Sequence, residues 1–196
     1  MITSTARTET LLGVALAPLD WMRSFELVIA FSLLTALAAQ VAIPLWPVPI
    51  TGQTFAVLLT GGLLGPRLGA LAMIAYLIEG ASGLPVFAGS TGGLLHMFGP
   101  TGGYLLAFPA AAFTTGAFAE RGWDKRFWTA VAAMAIGSIV IILGGWAWLV
   151  LFMSPAVAFR AGVEPFILGD IIKILLAAAA LPSGWALLKR RGKLIS

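Results

Sequence analysis

The 196-residue chain has no cysteine and no asparagine, and its only histidine is His96. Disulfide scaffolds, thiol nucleophiles and thiolate metal sites are therefore excluded. One imidazole does not make a histidine-rich metal centre, and no metal or cofactor is expected. Charge is also scarce. Charged residues make up 10% of the chain, against about 25% in soluble domains. Eight acids and twelve bases do not make a water-soluble surface for a chain this long. What is present is apolar: 60% of residues, with a mean hydropathy of +0.99. The sequence reads as membrane-embedded. Its basic residues lie between apolar runs, which is the positive-inside pattern rather than the gathered patch of a nucleic-acid binder. No G-x-x-x-x-G-K-[ST] occurs, so hydrolysis of ATP on a P-loop is excluded.

Residues 1–24 read as an amphipathic cytoplasmic lead-in. Leu11–Leu19 is apolar behind Arg7, but Pro18, Asp20 and Arg23 argue against a cleaved signal. The apolar runs that follow are Phe25–Ala42, Phe55–Leu64, Leu68–Ile78, Gly103–Phe118, Phe127–Phe152 and Phe166–Leu188. The second and third are short of the roughly 20 residues a full span needs. Either residues 55–78 form one kinked span, or they form a helical hairpin turning at Gly65-Pro66-Arg67. Charge decides between them. With six spans and a cytoplasmic N-terminus, ten of the twelve bases lie inside, Arg160 alone lies outside, and Lys173 lies within a span. With five spans, seven bases lie outside and Arg67 lies near mid-membrane, where an arginine costs about 2.5–3.5 kcal/mol. The expected fold is all-α, with six transmembrane helices over residues 25–188, both termini cytoplasmic and a basic tail at 189–196. The short helices require protein to cover their outer ends.

Three outer loops stand out in this topology: residues 44–53, 80–101 and 154–165. The second, GASGLPVFAGSTGGLLHMFGPT, carries six glycines and no formal charge, yet is strongly apolar. Ordinary loops are solvated. This one reads as a cap folded back on the helices, over a ligand or simply as packing. Beneath it, Asp170 and Lys173 share one helix face, three residues apart. They lie roughly 6–11 Å below Phe166 at 1.5 Å per residue. Intramembrane ionisable residues mark function by default, although a pair at this spacing can also neutralise itself. Together an anionic acceptor and a cationic donor suit a ligand with N–H groups and a carboxylate. Gln53, Thr91 and Tyr104 are further polar candidates. Trp46, Phe87 and Phe98 are candidate apolar walls. His96 reads as an interfacial residue, and Glu79 as a partner of Arg160 or of the headgroups. On the first helix, Ser32-x-x-x-Ala36 and Ala38-x-x-x-Ala42 form a small-residue face that lets another helix approach closely, from this chain or from another subunit.

PVPITGQTFAVLLTGGLLGPRLGALAMIAYLIEGASGLPVFAG, then GPTGGYLLAF, then the Asp170/Lys173 pair, resemble the BioY family over about residues 25–190. These are the biotin-specific S components of energy-coupling factor (ECF) transporters. The resemblance implies a non-enzymatic subunit of a prokaryotic cytoplasmic membrane that captures biotin at the outer face for import. An S component for another small carboxylated vitamin, or a biotin transporter acting alone or as an oligomer, is the alternative. The resemblance also implies that Asp170 accepts from the ureido N–H groups while Lys173 serves the carboxylate, or the reverse. Thr91, Tyr104 and Gln53 contribute to the site in matching motifs. Thr91 stands where some members have Asn, and Glu79 stands where an apolar residue is expected. Implied partners are a membrane T component carrying two ABC-type ATPases, docked through Ser32, Ala36 and Ala38, and the lipid bilayer. Nucleic acid is not a partner.

Overall fold

The computed structural model describes residues 10–16 and 19–190, a mainly helical chain. Arg7, Pro18, Arg191 and Lys193, used above for the lead-in and the charge count, lie outside these residues. In chain order the helices are α1 (Leu11–Ala15), α2 (Trp21–Gln40), α3 (Gln53–Ala81), α4 (Leu94–Met97), α5 (Gly102–Ala119), α6 (Phe127–Leu149), α7 (Pro155–Gly162) and α8 (Glu164–Arg190). Four helical stretches are long and apolar enough to cross a membrane: Trp21–Gln40, Gln53–Ala81, Phe127–Leu149 and Pro155–Arg190. Large apolar side chains such as Leu33, Leu37, Leu71, Phe113, Leu143 and Leu176 are exposed on the outside of the bundle. A soluble monomer rarely tolerates so much exposed apolar surface. Hydrocarbon accepts it.

α3 is a folded hairpin. Gly65 has φ +83° and ψ −179°, a conformation open to glycine and strained for other residues, and Pro66 follows it. The reversal is proved by distance. The Gln53 side chain donates to the Tyr76 hydroxyl at 2.6 Å, whereas 23 residues of unbroken helix span about 35 Å. A Cβ on Gly69 would lie 3.0 Å from the Cα of Gly61, so the two arms cross on glycines. Residues 53–64 and 66–81 rise only about 18 Å and 24 Å at helical pitch, as expected for the hairpin alternative. α3 packs most extensively on α5, and α5 in turn on α6. The core between them contains Val57, Leu58, Met73, Tyr76, Phe108, Met134, Ile141 and Leu181.

The small-residue face of α2 packs inward. Ser32 and Thr35 are fully buried, and Ala36 is nearly so. The Ser32 hydroxyl donates to Glu79 Oε1 at 2.8 Å, and Thr35 contacts Met73 Sδ. Ala38 lies against Gly52. Within this chain Ser32 and Ala36 belong to the face of α2 that packs on the second arm of α3. Glu79 belongs to this seam too, bonded to Ser32 rather than to Arg160.

Two short strands, β1 (Ala42–Ile43) and β2 (Ile50–Thr51), pair antiparallel with Ala42 opposite Thr51, and the Trp46–Pro47 peptide between them is cis. At the opposite end of the bundle, α1 packs on the last turns of α8, where Leu11 meets Trp185 and Leu188.

Candidate functional site

Three helices bring polar side chains together at the loop-covered end of the bundle. Asp170 of α8 is only 4% exposed. Its Oδ2 accepts from Ser138 of α6 at 2.7 Å. Its Oδ1 accepts from Lys173 Nζ at 3.3 Å and from Thr54 of α3 at 3.4 Å. Lys173 also donates to Thr54 Oγ1 at 2.9 Å. One hydroxyl thus bridges cation and anion. Of the three protons on the ammonium group, these bonds occupy two. The first turn of α3 contributes the positive end of its dipole beside the carboxylate. The two bonds to Oδ1 are long for charge-assisted contacts, so a better donor can displace them.

This cluster forms one end of a cleft of about 550 Å³, counting its open mouth. Phe87, Tyr104, Leu105, Phe108, Phe166 and Ile142 form apolar walls, with Val48 and Pro49 at one side. Phe87 is the plug of the covering loop. It is fully buried, stands edge-on to Tyr76 at 5.5 Å and occupies the space over Gly80. The segments around the cleft are fastened by side chains reaching main-chain oxygens. Gln40 donates to Phe87 O at 3.2 Å, Tyr76 to Val86 O at 3.0 Å, Tyr104 to Gly162 O at 2.6 Å and Trp148 to Gly99 O at 3.0 Å.

Of the residues singled out from sequence, Asp170, Lys173, Gln53 and Tyr104 line the cleft. Gln53 and Tyr104 are largely committed to the protein. Gln53 accepts from Thr51 and donates to Tyr76, and the Tyr104 hydroxyl is spent on Gly162. Tyr104 therefore contributes its ring, stacked on Phe166 at 5.7 Å. Thr91 is exposed outside the lining, with its hydroxyl on Ala88 O at 2.9 Å. His96, read from sequence as interfacial, is in the lining, with its ring against Phe87 at 5.4 Å. Phe87 is a wall as expected. Trp46, 89% exposed, and Phe98 are not. Sequence reasoning missed Thr54 and Ser138, the two hydroxyls that hold Asp170. The T-G-Q-T block containing Thr54 was the available signal; Ser138 gave none. Among the described residues no cluster of three His, Asp or Glu side chains is placed to hold a metal.

Comparison with known proteins gives a consistent picture. The sequence model of the BioY family matches residues 7–190. The chain is 46% identical over 155 residues to the probable biotin transporter BioY of Pyrococcus horikoshii, covering 79% of this chain and 91% of that one. It is 38% identical over 148 residues to the biotin transporter BioY of Thermotoga maritima, covering 76% and 87%. Its fold matches the crystal structure of the S-component for biotin from an ECF-type ABC transporter with a TM-score of 0.76 at 26% identity, covering 83% of this chain and 90% of that one.

Proposed function

This chain belongs to the BioY family, and on that premise we propose that it is the membrane subunit that binds biotin for an ECF-type transporter, a binding protein and not an enzyme. The observation that carries the reading is the buried Asp170–Lys173–Thr54 cluster at the end of an apolar cleft. Biotin is a fused bicycle with a polar cyclic urea at one end and a carboxylate at the end of an aliphatic tail. The cleft has walls for the bicycle and a charged end for the urea.

The proposed division of labour differs from the one that resemblance implies. Asp170 and Lys173 are 3.3 Å apart and bonded to the same hydroxyl. Two groups so close serve one end of the ligand. A cyclic urea places N–H beside C=O, so its N–H donates to Asp170 while Lys173 donates to its carbonyl oxygen. Each ligand bond replaces a long protein–protein one. A ligand lacking the urea makes none of these bonds and leaves the pair to its protein partners alone, and such sites discriminate strongly.

The membrane reading follows from the same premise. The two arms of α3 counted separately, with α2, α5, α6 and α8, supply six crossings with both termini cytoplasmic, and the cleft opens outward. The host membrane is the cytoplasmic membrane of a prokaryote. A T component with two ATPase subunits supplies the energy, since this chain has no nucleotide motif of its own.

Equilibrium binding of labelled biotin to the purified protein tests the site. Asp170→Asn and Lys173→Ala are each expected to weaken binding at least tenfold, about 1.4 kcal/mol. Unchanged affinity in both would remove the proposed site. Thiamine and riboflavin are expected not to compete, and competition by either would point to a different vitamin.

A further inference from the structure

With the charged pair engaged at the urea, the carboxylate of a bound biotin needs another partner in the same cleft. Most polar lining groups are already committed. Thr51 donates to Gln53, Gln53 to Tyr76, and Tyr104 to Gly162. Thr54 is shared between Lys173 and Asp170. Two lining residues remain, His96 and Thr101. They face each other, with His96 Nε2 at 3.4 Å from Thr101 Oγ1 and 3.5 Å from Thr91 Oγ1. Both contacts are at the long limit of hydrogen bonding, and the Thr91 hydroxyl already donates to Ala88 O. The imidazole is held in place by its stack on Phe87, 5.4 Å between centroids and 25° between planes.

We infer that His96 and Thr101 form a second polar pole of the cleft that reads the ligand carboxylate, with His96 taking up a proton as the carboxylate arrives. The inference rests on the biotin reading and adds to it a specificity determinant. Imidazolium N–H and threonine O–H are both donors, which matches an acceptor-only anion. Burial holds the His96 pKa below its ordinary value, so the empty site carries a neutral ring. An adjacent carboxylate favours the charged form and raises that pKa. The other ionisable groups lining the cleft are Tyr104, whose hydroxyl is bonded to Gly162, and the Asp170–Lys173 pair, which is bonded to itself. His96 is the only histidine in the chain, so a titration in its range that disappears with it has one source.

The sign of the effect follows from linkage. If the bound form holds a proton more tightly than the empty form, affinity rises as pH falls through the bound pKa. The experiment compares biotin with its primary amide, in the native protein and in His96→Gln, at pH about 8 and about 6. The native protein is expected to prefer biotin over the amide about tenfold or more at the lower pH. Its biotin affinity should rise as pH falls, while its amide affinity stays flat. His96→Gln should lose both the preference for biotin over the amide and the pH dependence, with a cooperative thermal unfolding transition showing that it is folded. Thr101→Val should reduce the preference and keep the pH dependence. Equal native affinity for biotin and its amide, or a preference and pH profile unchanged in His96→Gln, overturns the inference and leaves the biotin reading standing. Failure of the native protein to bind either ligand overturns the biotin reading itself.

Discussion

Besides Lys173, Asp170 is held by two hydroxyls that can each be removed without changing much volume. Thr54→Val keeps the shape and deletes the hydroxyl that accepts from Lys173 and donates to Asp170. It is expected to weaken biotin binding about tenfold, measured by equilibrium binding. Wild-type affinity would mean that the bridge is incidental. Ser138→Ala acts differently, because it strips the shortest donor, at 2.7 Å, from a carboxylate that is 4% exposed. Loss of such a partner costs about 1–3 kcal/mol. Thermal unfolding of the ligand-free protein in detergent should report it, and an unchanged midpoint would show that water or Lys173 compensates. The charged pair was legible in the sequence because ions are costly in hydrocarbon and stand out. The two hydroxyls were not. Hydroxyls in apolar helices commonly bond back to their own backbone, as Thr60, Thr114 and Ser183 do here. Nothing in sequence tells which hydroxyl reaches across instead. Thr91 follows the same rule as those hydroxyls: the path of the loop around Phe87 turns it onto the nearby Ala88 oxygen.

Among the elements, α3 was the most legible. Its two short apolar runs, the Gly65-Pro66-Arg67 break and the charge count all required a reversal, and the structure has one there. The reversal depends on one positive φ. Gly65→Ala places a Cβ in a strained backbone conformation and within 2.9 Å of Thr10 Cγ2. A loss of about 1–3 kcal/mol of stability is expected, seen as a lower unfolding midpoint. No loss would mean that the turn relaxes freely. The stripe on α2 was legible as a close-packing face but not as to its partner. Small side chains permit approach without specifying what approaches, and Glu79, reaching across to Ser32, is the residue that identifies this seam as internal.

At the scale of the whole molecule, the connections at the end of the bundle away from the cleft contain a group that the ligand site does not use. Asp124, 1% exposed in the turn between α5 and α6, accepts from Trp185 Nε1 of α8 at 2.6 Å. Lys125 lies over the same indole at 4.9 Å. Burial raises the Asp124 pKa, opposed by the indole hydrogen bond and by Lys125. An acid whose native pKa exceeds its unfolded value binds protons more tightly when folded. Stability therefore falls as pH rises from the ordinary carboxylate value through the raised one. Asp124→Asn should abolish that slope in unfolding measured against pH, and an identical slope in the variant would assign it elsewhere. The mainly helical architecture was legible because long apolar runs carry it; this contact between distant turns was not, because no periodicity links Asp124 to Trp185.

The four ties around the cleft, from Gln40, Tyr76, Tyr104 and Trp148, all end on carbonyl oxygens of the main chain. Such acceptors are indifferent to the identity of the residue that carries them. Except at Tyr104, whose ring also lines the cleft, closure and taste are consequently separable properties. A new preference can be written into the surface that meets the guest while the fastenings around it stay as they are.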